Sequence, residues 1–294
     1  MKRFKTMTGL NNVYELTEKN YAMVTRRHMP YMVIGDDGVV RRFAVCPACD
    51  NPIQIIEQRQ IQPYVVSLYG KHIKKDLPVA VYNDRAYQFC PYASSSAKVS
   101  KSSKKKGMTA YEENILDAIK EYYDLAVYVL RQDTGIHISQ KMALNMLQRY
   151  IDQKGYMYDW GTLYNIPWMV LYYAGPIPCY GMIVKKESKI WRYLSHRKNV
   201  VLRKSHIDGY DIVGNEKKYL DLHLEFRDHK RAVVDDEVRE TIDLVLYSEN
   251  KGGRKNTEYK TTLDINEYRF PKLIEAAKYR NYDMLKSANT VIHA

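Results

Sequence analysis

The sequence lacks any apolar run approaching the roughly 20 residues that a helix needs to cross a bilayer. The N-terminal stretch MKRFKTMTGLNNVYEL is basic, but no uninterrupted apolar segment follows it, so neither a signal peptide nor a membrane span is predicted. Cysteine is scarce, with four in 294 residues. Few cysteines and no export signal favour metal binding in a reducing compartment over disulfides. We therefore expect a cytoplasmic protein without a membrane partner.

Common enzyme signatures are also missing. The chain has no Gly-rich phosphate loop, no Gly-x-Ser-x-Gly nucleophile motif and no His-Glu-x-x-His zinc motif. Phenylalanine is rare, at 5 residues, whereas tyrosine occurs 27 times. Tyrosine combines a stacking face with a polar tip, which suits partly wet binding surfaces. An A·T-rich coding sequence would enrich tyrosine too, so composition alone leaves both explanations open.

Positive charge predominates. Lys and Arg number 46 against 34 Asp and Glu, which gives a net charge of +12 and a pI near 9.3. Such a balance favours a polyanionic partner, and nucleic acid, DNA or RNA, is the commonest one. We expect nucleic acid as a partner, with protein partners as a further option.

The order of patterns along the chain predicts an α+β fold. The stretch YMVIGDDGVVRRFAVC has a turn between two apolar runs and predicts a hairpin within a series of short extended segments. Thr109 and Glu112 form a capping-box pattern before a long apolar stripe, and a second helix is predicted from Ser139 to Gly155. A short third helix is expected with Pro167 in its first turn. Alternating strands are predicted beyond Tyr180.

The predicted organisation is a zinc-stabilised β-rich N-terminal unit, a helical middle and a mixed α+β C-terminal unit. A last helix is expected from position 271 through 286. The predicted segments are 1–91, a zinc-knuckle β-rich domain; 92–108, a Ser/Lys linker or mobile loop; 109–176, a helical segment; and 177–294, an α+β domain.

The cysteine pair in CPACDNPIQI predicts half of a structural metal site. Cys46 and Cys49 have the spacing with which one tight turn supplies two thiolates to zinc. Cys90 is the expected third ligand, because it is followed by proline as Cys46 is. For the fourth we predict His72, which lies between these cysteines in the sequence, with Cys179 as the competitor. The alternative is that His72 is a surface histidine and Cys90 a small buried residue.

The segment KKESKIWRYLSHRKNVVLRK, residues 185–204, combines cations with aromatic rings. Eight Lys and Arg stand against one Glu, which suits a surface where cations neutralise phosphates and rings stack on bases. A solvated hairpin has the same pattern, so that alternative stays open. The residues predicted to contact nucleic acid are Lys185, Lys186, Lys189, Trp191, Arg192, Tyr193, Arg197, Lys198, Arg203 and Lys204.

Residues 240–265 contain a candidate catalytic set. Asp243 lies in one predicted strand, and Glu258 and Lys260 share a face of the next, so a hairpin would bring the three together. Two carboxylates would hold Mg²⁺ while the lysine positions the attacking water. This stretch resembles the core of the PD-(D/E)xK nuclease superfamily. The resemblance implies that Asp243 and Glu258 are metal ligands, Lys260 the catalytic lysine and Glu240 an accessory acid.

The sequence thus predicts a nucleic-acid-binding protein with a structural zinc site. We expect it to act within a larger nucleoprotein assembly, such as one of a mobile element or of phage defence. One alternative is a Mg²⁺-dependent nuclease or toxic effector acting through Asp243, Glu258 and Lys260. The other is an adaptor subunit whose tyrosine-rich faces bind another protein.

Overall fold

A computed structural model of the chain confirms the α+β class. It describes residues 1–10, 12–60, 65–93, 99–216, 221–235, 237–249 and 253–292. The chain forms two compact units: Met1–Val99 with Arg231–Arg239, and Ser100–Lys230 with Glu240–Ala294. The four segments predicted from the sequence stay a prediction. Among the described residues, no helix combines the length and apolar character needed to cross a bilayer.

The first unit contains the elements that precede Ser100. They are β1 (Arg3–Phe4), β2 (Tyr14–Glu15), α1 (Glu18–Thr25), β3 (Met32–Ile34), β4 (Val40–Val45), β5 (Pro52–Gln60), β6 (Val65–His72) and α2 (Asp84–Gln88). Strands β3 to β6 form an antiparallel sheet in chain order. The predicted hairpin is confirmed, because β3 and β4 pair with Met32 opposite Arg42.

The prediction that this region contains only extended segments is wrong, since α1 and α2 are helices. Helix α1 begins after Thr17, whose side chain accepts a hydrogen bond from the Asn20 amide. Only Tyr21 and Thr25 of this helix are buried. A helix that buries only two side chains leaves a short apolar stripe, which the periodicity of apolar residues in the sequence does not reveal.

The second unit combines helices with two small sheets. From Ser100 onward the elements are α3 (Ala110–Thr134), α4 (Gln140–Asp152), α5 (Ile166–Tyr173), β7 (Ile177–Pro178), β8 (Ile183–Lys185), α6 (Lys189–Ser195), β9 (Val200–Lys204), β10 (Tyr210–Asn215), β11 (His223–Val234), β12 (Glu237–Glu249), β13 (Lys255–Asp264), α7 (Arg269–Ala276) and α8 (Tyr282–Ile292). The strand orders are β8-β10-β9 and β13-β12-β11-β7. The C-terminal end of β11 and the N-terminal end of β12 belong to the first unit.

The predicted helices of the middle region are confirmed. Thr109 caps α3 in a capping box with Glu112, and α3 ends at Gly135, which takes the left-handed conformation at φ 69°. One residue within α3, Tyr122, departs from helical geometry and kinks it. Ser139 caps α4. Helix α5 is buried on all sides and packs against α3 and α4, so it forms the centre of the second unit.

The single C-terminal helix predicted over 271–286 is two helices. Helix α7 ends where Ala277 adopts the left-handed conformation at φ 48°. Asn281 then starts α8, since its side-chain oxygen accepts a hydrogen bond from the Met284 amide at 3.0 Å. Its own amide donates to Asp124 on α3 at 2.7 Å. The break therefore places α8 against α3.

The predicted linker 92–108 includes residues 94–98, which lie outside the described residues. Its later part packs on tyrosine rings of the second unit. The ammonium groups of Lys101 and Lys104 lie 4.7 and 3.9 Å from the ring centroids of Tyr172 and Tyr173. The Lys105 amide donates a hydrogen bond to a backbone oxygen at 2.8 Å. These lysines stabilise the fold through cation–π contacts.

Candidate functional site

The candidate metal centre lies at the ends of β4 and β6. Cys46 follows the last residue of β4, and Cys49 lies in the turn that leads into β5. The β5–β6 pairing sets His72 opposite Ile53, near the start of β5 and therefore beside this turn. Cys90 follows α2. Sheet register and one short helix thus bring together residues that are far apart in the sequence.

The four ligand atoms form one cluster that can hold a metal ion, since all lie within 4.8 Å of one another. The sulfurs of Cys46 and Cys90 are 3.7 Å apart. His72 Nε2 lies 3.3 Å from the Cys49 sulfur and 3.7 Å from the Cys90 sulfur. With metal bonds of about 2.3 Å to sulfur and about 2.05 Å to nitrogen, tetrahedral ligands lie about 3.5–3.8 Å apart. These distances and this donor set are compatible with zinc.

A buried asparagine holds the turn in shape. The Asn51 side chain donates to the Cys49 sulfur at 3.3 Å and to the backbone oxygen of Asn83 at 3.0 Å. It also accepts a hydrogen bond from the Asn83 amide at 2.6 Å. Asn83 caps α2, the helix that precedes Cys90. Asn51 therefore links the turn that carries Cys49 to the helix that precedes Cys90. It is positioned to orient these candidate ligands through hydrogen bonds.

The thiols of the cluster have divergent acidities. Burial raises the pKa of Cys46 well above its ordinary range, and the neighbouring thiols raise it further. Burial also opposes ionisation of Cys49, but hydrogen bonds with Cys46, Cys90 and His72 outweigh it and hold the pKa of Cys49 well below its usual range. One thiolate is thus already favoured in the cluster. A metal ion would displace the remaining thiol protons on binding.

Cys179, the competitor for the fourth ligand position, is not a member of the cluster. It belongs to the second unit, where it is fully buried and its amide donates to the Leu222 backbone oxygen at 2.8 Å. Burial raises the pKa of its thiol to about 12. Cys179 is a small core residue, and the structure places His72 in the cluster.

The candidate nuclease residues lie on the β12–β13 hairpin. Lys260 Nζ is 2.6 Å from Asp243 Oδ2, and Thr262 donates to Asp243 Oδ1 at 2.7 Å. Burial alone would raise the pKa of Asp243, but the hydrogen bonds from Lys260 and Thr262 keep it below its usual range. The predicted proximity of Asp243 and Lys260 is therefore found, in the form of an ion pair.

Glu258 is engaged elsewhere. It lies where the β12–β13 register shifts, between the pairs Leu246–Tyr259 and Tyr247–Thr257. Its carboxylate accepts from Arg197, with Nη2 to Oε1 at 2.7 Å, and from the Tyr193 hydroxyl at 3.1 Å. The register shift turns this side chain toward α6. The structure thus brings Glu258 to Arg197 and Tyr193, and the shared metal site stays a prediction.

The predicted accessory acid, Glu240, belongs to a buried polar network. Its carboxylate oxygen Oε1 accepts from Asn165 at 2.6 Å and lies 2.8 Å from His229 Nε2. Oε2 accepts from the Tyr164 hydroxyl at 2.9 Å. The other nitrogen of His229 lies 3.0 Å from the Tyr158 hydroxyl. This network satisfies buried polar groups and so stabilises the second unit. Sequence analysis did not identify His229.

Residues 185–204 comprise the last residue of β8, helix α6 and strand β9. Helix α6 buries Ile190 and Leu194, which are spaced i, i+4, and turns its cations outward. Lys186 and Arg192 lie near acidic groups, at 3.6 and 3.4 Å. Five exposed cations of residues 185–204 form no ion pair with any described residue: Lys185, Lys189, Lys198, Arg203 and Lys204.

An open pocket of about 850 Å³ is lined by one of these cations, Lys189. Aromatic rings of Trp191, Tyr193 and Tyr259 line it. The rings of Tyr193 and Tyr259 stack, with centroids 4.7 Å apart and planes inclined by 23°. Tyr259 was missed in the sequence, because only the β12–β13 hairpin brings it beside a residue 66 positions earlier.

No known protein family matches the chain, and comparisons with curated proteins and with solved structures gave no match either. The likeness to PD-(D/E)xK nucleases therefore rests on residues 240–265 alone.

Proposed function

We propose that the protein binds nucleic acid through residues 185–204 and that a structural zinc ion stabilises its first unit. The observation that supports binding is the group of exposed, unpaired cations in residues 185–204, of which Lys189 lines the aromatic pocket. The free thiols of the cysteines suit a reducing compartment, and we place the protein in the cytoplasm as part of a larger nucleoprotein assembly.

The zinc assignment follows from the donor set. Three cysteines and one histidine form a donor set that is common in structural zinc sites. The distances between these ligand atoms suit a tetrahedral ion. Four protein ligands leave no open coordination position for substrate. The ion would therefore support the fold and take no part in a reaction.

The binding assignment follows from electrostatics. Exposed lysines and arginines that pair with no carboxylate in the described part of the chain keep their charge available for phosphates. Each phosphate contact releases a counterion, so affinity falls steeply with salt. Aromatic rings next to such cations add stacking surfaces for bases.

The test is salt-dependent binding of fluorescent oligonucleotides measured by anisotropy. Replacing Lys198, Arg203 and Lys204 together by Ala should weaken binding about tenfold or more and flatten the slope of log K against log salt by about 2 to 3. The matched control replaces three exposed lysines of α7, α8 and their connection by Ala: Lys272, Lys278 and Lys286. Equal losses in both variants, or no binding by the wild type, would contradict the proposal.

One observation favours the nuclease alternative: the contact between Asp243 and Lys260. Under that alternative, adding Mg²⁺ produces cleavage that Lys260→Ala abolishes while binding persists. An adaptor would show neither property, and would instead form a protein complex that resists moderate salt.

A further inference from the structure

We infer that the pocket formed by Trp191, Tyr193 and Tyr259 takes an unpaired base, so that the nucleic acid bound here is single-stranded. This inference rests on the proposed function and specifies its ligand. The pocket and its neighbouring cations all belong to the second unit.

The aromatic rings are held in place by the protein itself. The Trp191 indole donates to Asp211 Oδ2 at 2.8 Å, and Asp211 is a buried residue of β10. Tyr193 is fixed at one side by its stack with Tyr259 and at the other by its hydrogen bond to Glu258. Rings that are already ordered lose little conformational entropy when a ligand stacks on them.

The charges around the pocket suit phosphates. Lys189, Arg192 and His196 line it, together with the acidic Glu187. Arg192 lies 3.4 Å from the Glu187 carboxylate, so Lys189 is the lining lysine that forms no ion pair with a described residue. Because the Arg192 backbone oxygen only accepts, His196 Nδ1 donates to it at 2.8 Å, which leaves Nε2 for a ligand. Arg197 is neutralised by Glu258 and orders the pocket wall. A pocket lined by both a cation and aromatic rings matches a nucleotide, which combines an anionic phosphate with a planar base.

Stacking favours a single strand over a duplex. In a duplex both faces of an internal base are covered by its neighbours, whereas an unpaired base offers a face to an aromatic ring. The pocket volume of about 850 Å³ also lies in the range of about 300–1,000 Å³ that small-ligand sites occupy. A flat basic surface without a pocket would not distinguish a duplex from a single strand, because both present phosphates.

The test compares oligodeoxythymidine and oligouridine of about 12 nucleotides with a duplex of the same length. Binding is followed by anisotropy and by tryptophan fluorescence. The tryptophans of the chain are Trp160, Trp168 and Trp191, and the first two are buried at 8% and 0% exposure. Quenching by a single strand therefore reports on Trp191. We expect quenching by either single strand, little by the duplex, and none in Trp191→Leu.

Ring removal gives the second readout. Tyr259→Leu should weaken single-strand binding about tenfold, because one stacked base contributes on that scale, and should leave duplex binding unchanged. Tyr259→Phe keeps the ring and should bind normally, as should Tyr180→Leu, which removes an exposed tyrosine outside the pocket. Circular dichroism establishes that each variant folds, and if Tyr259→Leu does not, Trp191→Leu replaces it.

The outcomes separate this inference from the function on which it rests. Equal affinity for single strand and duplex, with Tyr259→Leu at wild-type affinity, overturns the inference and leaves salt-dependent nucleic-acid binding in place. Absence of binding to every probe overturns both. Preference for the deoxy or the ribo strand would identify DNA or RNA as the source of the base.

Discussion

At the scale of single residues, Glu258 is a carboxylate that the second unit stabilises in its charged form. Both carboxylate oxygens interact with Arg197, and the Tyr193 hydroxyl donates to one of them. The hydrogen bond from Arg197 lowers the pKa of Glu258 to about 2, although burial acts in the opposite direction. The carboxylate is thus stabilised in its charged form by the fold.

Replacing Glu258 by Gln should destabilise the protein in a pH-dependent way. The pKa of Glu258 is lower in the folded protein than in the unfolded chain, where it is about 4.3. The ion pair therefore stabilises fully above about pH 4.3, and the stabilisation is lost as the pH falls toward about 2. We expect a loss of about 1–2 kcal/mol at pH 7 that shrinks across this window, measured by urea unfolding.

The control for this experiment is Glu275→Gln, which changes an exposed glutamate of α7. It should alter the free energy of unfolding by less than about 0.5 kcal/mol at any pH. A Glu258→Gln penalty that stays constant from pH 7 to pH 2 would show that packing, and not charge, is lost.

Asn51 supports the candidate metal ligands directly. It is fully buried and hydrogen-bonds both to the Cys49 sulfur and to Asn83. Asn51→Ala should lower metal affinity about 10–100-fold, because the turn loses its orienting contact. Competition with a chromophoric chelator measures this, and Asn12→Ala, at an exposed position of the same unit, is the control. Equal affinities would remove Asn51 from the site.

The roles of some single residues could be predicted from the sequence, and those of others could not. Cys46 and Cys49 are visible from their spacing, and Cys90 from its proline. Asn51 is not, because its role depends on Asn83, which lies 32 positions later and meets it only in the fold. The same holds for Glu258, whose partner Arg197 is 61 positions away.

Among the secondary-structure elements, α3 has the best-defined start. The Thr109 amide donates to Glu112 Oε2 at 2.9 Å, and the Thr109 hydroxyl accepts from the Tyr111 amide at 3.3 Å. Thr109→Ala should lower the free energy of unfolding by about 1 kcal/mol, as judged by urea denaturation. Thr109→Ser keeps the capping hydroxyl and should restore most of the stability. Identical losses in both variants would contradict a capping role.

Elements with strong local signals were predictable, and others were not. Strands β9 to β13 follow the alternation and β-branched content of their sequences, and α3, α4 and α5 follow their caps. Helix α6 was missed because it buries only Ile190 and Leu194 and lies within a highly basic stretch. The break between α7 and α8 depends on the contact of Asn281 with α3, which local patterns do not encode.

At the scale of the whole molecule, each unit has its own buried core. Large fully buried side chains include Trp168 and Tyr123 in the second unit and Tyr21 and Phe4 in the first. In the first unit, Cys46 and Cys90 are themselves members of the buried core cluster. A metal ion at this point would therefore contribute directly to the stability of the first unit. That residues 231–239 belong to this unit was not predictable, since no pattern links them to the N-terminal strands.

Removal of the metal should loosen the first unit selectively. With a strong chelator, we expect hydrogen–deuterium exchange to accelerate in the peptides of Met1–Val99 that contain the cluster. Peptides from α3 and α5 should exchange as before. Mass spectrometry of digested samples measures both at once. Uniform acceleration in all peptides, or none, would contradict a metal that stabilises one unit.

Metal content per chain tests most directly whether Cys46, Cys49, His72 and Cys90 form a zinc site. Native mass spectrometry of the wild type, His72→Ala and Cys179→Ala gives the number and mass of bound ions. We predict one zinc ion in the wild type and in Cys179→Ala, and loss or weakening of binding in His72→Ala. A metal-free wild type, or a zinc ion that persists in His72→Ala and is lost in Cys179→Ala, would contradict the site.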